Sequence, residues 1–209
     1  MQGTYRTVKD YAREQYVVKR SKFIASLKPV LNEGEAVAFL ADVRNEFYDA
    51  THNCYAYNIL IDGSPLWRFS DDGEPSGTAG MPILNVIKQR SLSNVAIVVT
   101  RYFGGILLGA GGLVRAYSHA AALVVDAAGI MEMLPAKRIC VITGYNLLIS
   151  IQKLVSTFEA QIVGTDYEDK VKMYIIVKTE VMDRFIKSLH DISKGDIDIR
   201  IENDTYMHN

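Results

Sequence analysis

The chain has little cysteine, no excess of either charge and no long apolar run, and each shortage excludes a class of protein. Cys54 and Cys140 are too few for a disulfide framework. Their spacing matches no zinc motif, so they read as reduced thiols of a cytosolic protein. A formal net charge of −1 removes the simplest argument for nucleic-acid binding, a strongly basic chain, while leaving room for a local basic patch. No stretch approaches the roughly 18 to 20 apolar residues that would span a bilayer. Met1-Gln2-Gly3-Thr4-Tyr5-Arg6 lacks the basic-then-apolar pattern of a signal peptide. The expectation is a cytoplasmic protein with no membrane partner. What is present, 49% hydrophobic and 22% charged residues over 209 positions, suits one large folded domain or two small ones.

Along the chain, residues 14 to 30 read as extended, with a basic step Lys19-Arg20-Ser21-Lys22 before Phe23-Ile24-Ala25. Glu35 to Phe47 reads as a helix, because Ala36, Phe39, Leu40, Val43 and Phe47 share a face. Residues 53 to 61 form a strand, and Asp62-Gly63-Ser64-Pro65 turns it into a hairpin partner at Leu66 to Phe69. Thr78 or Ser76 can cap the next helix, which carries Ile83, Val86 and Ile87. Val95 to Val99 is a buried strand, and Leu113 to Ala128 is a helix whose one polar stripe is Arg115, Ser118, His119 and Asp126.

Gly129 and Pro135 mark a boundary, which gives domains of residues 1–136 and 137–209. Beyond it the pattern runs strand 138–145, helix 147–158, strand 160–166, strand 170–178, helix 181–193, strand 196–202. That βαββαβ order is the split-βαβ, ferredoxin-like plan. An RNA-recognition sheet would need stacked aromatics on its central strands. Here Lys172, Tyr174, Ile176 and Lys178 share one strand face, and Asp196, Asp198, Arg200 and Glu202 line another. This half does not read as an RNA-binding sheet.

The strongest local signal is a glycine loop. Gly104, Gly105, Gly109, Gly111 and Gly112 place five of fifteen glycines in nine residues, between a buried strand and a buried helix. Glycine allows positive φ and close approach, and the amides opening the following helix can face an anion. Arg101 enters the loop and Arg115 follows it, so two cations flank the region. The same glycines would equally serve tight packing of helix on sheet. Known phosphate loops do not fit. Ala110-Gly111 stand where a P-loop needs Lys and Ser or Thr, and Val114 occupies the third glycine of a dinucleotide fingerprint.

A second cluster, Asp71, Asp72 and Glu74, could hold a hard cation or work as acid and base with His52. It also reads as an acidic turn with Glu74 near a helix N-terminus. No metal set is complete and no cofactor motif is present. His119 lies one turn after Arg115 on the same face, as a packing histidine or a site residue. Ser118 has no nucleophile elbow around it. Lys19, Arg20 and Lys22 could touch phosphate or simply protect a strand edge.

Three motifs together resemble a known family. They are His52-Asn53-Cys54-Tyr55-Ala56-Tyr57; Asp71-Asp72-Gly73-Glu74-Pro75-Ser76-Gly77-Thr78-Ala79-Gly80-Met81-Pro82-Ile83-Leu84; and Arg101-Tyr102-Phe103-Gly104-Gly105 with Leu108-Gly109 and Gly111-Gly112-Leu113-Val114-Arg115-Ala116-Tyr117. This set resembles the IMPACT family, in its bacterial YigZ-type branch. The resemblance implies an α+β protein: an N-terminal ribosomal-protein-S5 domain 2-like α/β domain, then a ferredoxin-like domain similar to the last domain of elongation factor G. Eukaryotic relatives are translational regulators that oppose activation of the kinase acting on initiation factor 2. They carry an extra N-terminal RWD domain, without which the kinase-antagonist role is not expected here. The family motifs name no catalytic residue. Two functions stay open. One is a translation-associated regulator that binds RNA or the ribosome through an N-terminal anion-binding cleft at Arg101, the glycine loop and Arg115. The other is an enzyme acting on a small phosphorylated or carboxylated substrate at the same cleft.

Overall fold

The β4–β5 hairpin shows how local sequence sets the frame. β4 (His52–Ile61) alternates Cys54 and Ala56 on one face with Tyr55, Tyr57 and Ile59 on the other. Asp62 and Gly63 take left-handed conformations, φ 50° and 81°, the two-residue turn that matches strand twist. β5 (Ser64–Ser70) then pairs back on β4 with Ile61 opposite Ser64. The structure, a computed structural model, describes residues 3–208. The chain divides into two compact units, one of Tyr5–Glu132 and one holding the rest of the described chain.

In the first unit an antiparallel sheet runs in the order β2 (Ala12–Val18), β3 (Ser21–Pro29), β6 (Val95–Tyr102), β4, β5. Both faces are covered. Helix α1 (Glu33–Glu46) buries Ala36, Phe39, Leu40 and Val43 against Tyr57, Ile59, Ala96 and Val98. Its start is a capping box. Asn32 Oδ1 accepts from the Glu35 amide at 2.8 Å, and Glu35 Oε2 accepts from the Leu31 amide at 2.8 Å.

The other face carries α2 (Gly80–Gln89) and α3 (Ala110–Ala128) over Phe23, Ala25, Leu27, Ala56, Val95, Ile97 and Val99. α3 buries Leu113, Ala116, Tyr117, Ala120, Ala121, Val124, Val125 and Ala128, the stripe that a 3.6-residue period requires. β1 (Tyr5–Val8) sends Val8 into this core.

The second unit completes a βαββαβ plan with β7 (Ile130–Thr143), α4 (Leu148–Thr157), β8 (Gln161–Tyr167), β9 (Val171–Lys178), α5 (Met182–Ser193) and β10 (Asp198–His208). Its antiparallel order is β10-β7-β9-β8, the ferredoxin-like arrangement. The molecule is an α+β protein with a ferredoxin-like C-terminal half. Among the described residues no helix is long and apolar enough to cross a membrane.

Three local expectations change. The extended run from 14 to 30 is a hairpin, turning at Lys19 and Arg20. Neither Thr78 nor Ser76 caps α2: the Thr78 hydroxyl donates to the Pro75 carbonyl at 2.6 Å, and the cap comes from Asp71. β7 begins directly after Gly129 and runs through Pro135, which sits opposite Tyr206 where the β9 ladder has not begun.

Candidate functional site

Strand register brings the first residues together. Arg101 lies opposite Phe23 on β3 and opposite His52 on β4. It shares the parity of Val95, Ile97 and Val99, so it faces α3 from inside the core and is only 5% exposed. Its Nη1 donates to Glu74 Oε1 at 2.7 Å, and Glu74 is itself 7% exposed. The same oxygen accepts from the Tyr117 hydroxyl at 2.7 Å. Nη2 donates to Ser21 Oγ at 3.4 Å, and the guanidinium lies 5.5 Å from the Phe23 ring centre and 5.4 Å from that of Phe103. Nε is buried with no partner.

His52 joins this group from the side. Its Nδ1 is 2.7 Å from the Asp72 carbonyl oxygen. A carbonyl only accepts, so Nδ1 carries a proton, and Nε2 lies 3.9 Å from Glu74 Oε2. The Cys54 thiol donates to the Asp71 carbonyl at 3.0 Å. Burial pushes it up to about 12, partly opposed by the Tyr117 hydroxyl oxygen 3.4 Å from its sulfur. It stays a thiol at neutral pH and is not a nucleophile. Burial also drives the Tyr117 phenol far upward, so that it donates to Glu74 rather than ionising.

The three carboxylates of the acidic segment do different work. Asp71 accepts from the amides of Gly77, Ala79 and Gly80 at 2.8, 3.0 and 2.8 Å, and so caps the start of α2. Partial burial would raise its pKa, but these three amides outweigh burial and hold it below the ordinary aspartate value. Asp72 accepts from the Asn53 amide at 2.6 Å and pairs with Arg44 at 3.1 Å. Glu74, expected near a helix N-terminus, is inside with Arg101, and Asp71 holds the helix position instead. Among the described residues no three His, Cys, Asp or Glu side chains gather in a metal-binding arrangement.

The glycine loop divides likewise. A side chain at Gly104 would collide with the backbone of Arg20. The loop therefore lies directly on the β2–β3 turn, where the Gly104 amide also donates to Ser21 Oγ at 3.2 Å. Gly105 and Gly109 have positive φ, 79° and 71°, and Gly109 sets the entry to α3. Gly112 sits against Leu108, while a Cβ at Gly111 would meet nothing within 4 Å. Around the loop Phe103, Ile106 and Leu107 are exposed. Arg115 and His119 lie on the exposed side of α3. His119 meets the Tyr16 ring edge-on at 4.4 Å, and Arg115 forms no ion pair among the described residues. His52, Glu74 and Arg101 thus share one buried network, to which Asp71 and Asp72 are backbone neighbours. No direct contact joins Arg115 or His119 to it.

The hairpin turn beneath Gly104 is itself unusual. Lys19 and Arg20 both have positive φ, 46° and 66°, and both side chains are exposed. Lys22 follows on β3 with its ammonium 4.9 Å from the Tyr102 ring centre. Tyr117, Ser21 and Phe103 also belong to the assembled region; Phe103 and Tyr117 stand in the third motif and Ser21 in the basic step, but none of them reads as a site residue from sequence.

Comparison with known proteins accounts for these motifs. The model of the Impact N-terminal domain matches residues 19–125, which include His52, the acidic segment and the glycine loop. The chain belongs to the IMPACT family. A second model, a domain of unknown function (DUF1949), matches residues 141–196. IMPACT family member YvyE of Bacillus subtilis (strain 168) is 34% identical over 207 residues, covering 99% of this chain and 95% of that protein. IMPACT family member YigZ of Escherichia coli (strain K12) is 33% identical over 183 residues, covering 87% and 90%. Protein IMPACT of Homo sapiens matches over 95 residues at 37% identity, covering 44% of this chain and 29% of that protein. A crystal structure of a hypothetical protein superposes with a TM-score of 0.63 at 29% identity, covering 97% of this chain and 99% of the other. This IMPACT family member therefore matches the bacterial relatives over most of its length and the human protein over less than half of it.

Proposed function

We propose that this IMPACT family member is a cytoplasmic, translation-associated protein that binds RNA, free or displayed by the ribosome. Its proposed contact surface is the Lys19–Arg20 turn with the adjoining glycine loop. The translation side of this reading rests on the family resemblance. The RNA side rests on one observation. Two consecutive cations occupy left-handed positions in a two-residue hairpin turn, where Asn-Gly or Asp-Gly is the favourable choice. The same unit uses Asp62-Gly63 in its other hairpin, so the favourable solution was available to this fold. A left-handed non-glycine residue costs about 1–2 kcal/mol. Strain kept at such a position is the kind associated with functional sites.

Phosphate contact therefore falls to the exposed Lys19 and Arg20, with Lys22 and Arg115 as further candidates. Arg101, already paired with Glu74, holds the loop from inside. Replacing Lys19→Asn together with Arg20→Gly tests this. Stability should rise by about 1–2 kcal/mol as strain is relieved, while affinity for ribosomal RNA falls. Unchanged affinity would overturn the assignment. One observation favours the enzyme reading: His52 is partly accessible, with its ring held between the Asp72 carbonyl and Glu74. That reading expects a phosphorylated or carboxylated metabolite to raise the melting temperature in the wild type and the turn variant alike.

A further inference from the structure

Phe103 lies at the junction of the basic turn and the glycine loop and is 46% exposed. It continues β6 just past Tyr102, the last residue of the strand. Its amide donates to Thr51 Oγ1 at 3.1 Å, which fixes the backbone there. The buried Arg101 guanidinium lies 5.4 Å from the ring centre, so a cation–π contact holds the ring from within. The remaining ring surface is open to solvent. One residue further on, Gly104 packs on the backbone of Arg20, which brings an exposed aromatic and two exposed cations within a few residues' breadth. Ile106 and Leu107, 40% and 82% exposed, extend the apolar surface beside it.

Cations alone would suit any phosphate backbone. A rigid aromatic platform beside them suits a strand whose base faces are free, since a duplex keeps those faces stacked internally. We infer that the RNA bound here is single-stranded, with one base stacked on Phe103 while Lys19 and Arg20 hold the adjoining phosphates. This rests on the RNA reading above and narrows it.

The test is fluorescence anisotropy with a labelled oligouridine 12-mer and a 12-base-pair RNA duplex, on the full chain at fixed salt. The wild type should bind the single strand more tightly. Phe103→Leu should weaken single-strand binding roughly 5- to 150-fold, the effect of losing one base–aromatic stack, and leave duplex binding unchanged. Phe103→Trp should restore the preference, and equal melting temperatures of all three proteins would exclude a folding defect. Equal affinity for both RNAs, or an unaltered preference in Phe103→Leu, would overturn the stacking inference. Lys19→Gln with Arg20→Gln separates the two levels. If it lowers affinity for both RNAs while Phe103→Leu changes neither, the RNA reading survives and the single-strand inference fails. If no RNA binds at low salt, both fail, and capture of a protein by the exposed Leu107 surface becomes the better account.

Discussion

A guanidinium and a carboxylate that both leave water must offset their lost hydration through each other. Arg101 and Glu74 do so at 2.7 Å, with the Tyr117 hydroxyl as a second donor to the same oxygen. Removing one member strands the other, so single replacements should cost more than the double. We expect Glu74→Gln and Arg101→Met each to destabilise by about 3–5 kcal/mol, and the double variant to recover part of that loss. Urea unfolding of the four proteins closes the cycle, and additive losses would show that the residues do not act as a unit. Asp71 makes a different prediction. Its pKa is depressed by the Gly77, Ala79 and Gly80 amides, so its contribution is present above the unfolded aspartate pKa. That contribution disappears as pH falls through the lower folded value. Asp71→Asn should cost about 1 kcal/mol at pH 7, as for a lost helix cap. The difference from wild type should shrink progressively in acid, and a gap that stayed constant to pH 2 would contradict the cap. Sequence set Arg101 at the glycine loop and grouped His52 with Asp71, Asp72 and Glu74. That Arg101 and Glu74 pair inside the core, not at an open anion site, depends on β4 and β6 being neighbours. The Asp71 cap was equally hidden, since it acts from six, eight and nine residues ahead of the amides it holds.

Periodicity exposed most elements: the α1 face, the β4–β5 hairpin with its Asp-Gly turn, and the βαββαβ order all follow from spacing that physics makes recognisable. The β2–β3 hairpin escaped because Lys19-Arg20 contains no turn-forming residue, and left-handed backbone at such positions leaves no mark in composition. The glycine loop was legible as a cluster but not glycine by glycine, since the Arg20 backbone that excludes a side chain at Gly104 is 84 positions away in the chain. That distinction is testable. Gly104→Ala should destabilise by at least about 2 kcal/mol, because backbone must shift to admit the methyl, and should lower RNA affinity by displacing the turn. Gly111 lies in the first turn of α3 with open space around it. Gly111→Ala should therefore be neutral or stabilising by up to about 1 kcal/mol. If instead Gly111→Ala preserves stability and abolishes binding, the ligand approaches the backbone at the start of α3. Thermal melts and anisotropy on the same two variants decide between packing and contact.

Across the whole molecule the charges nearly cancel, so any attraction for a polyanion depends on where unpaired cations stand. In the second unit Lys137, Arg138, Lys172, Lys178 and Arg200 face Asp204, Glu202, Glu168, Glu159 and Asp198 respectively. Each of these cations is already neutralised locally, and binding phosphate there would require breaking an ion pair. Lys19, Arg20 and Arg115 form no such pair among the described residues. Lys153, Lys170, Arg184, Lys187 and Lys194 of the second unit also stand outside the ion pairs among the described residues, so it is the proposed contact at the strained turn that predicts an ionic-strength dependence carried by the first unit. For a single strand each neutralised phosphate contributes about 0.7 to the slope of log affinity against log salt. Lys19→Gln with Arg20→Gln should flatten that slope by about 1.4, and Arg115→Gln by about 0.7 if its side chain reaches the strand. Lys172→Gln with Arg200→Gln removes the same number of charges from the second unit and should leave the slope unchanged. The reverse pattern would move the electrostatic footprint to the ferredoxin-like sheet. The strained turn would then be left without the role proposed for it.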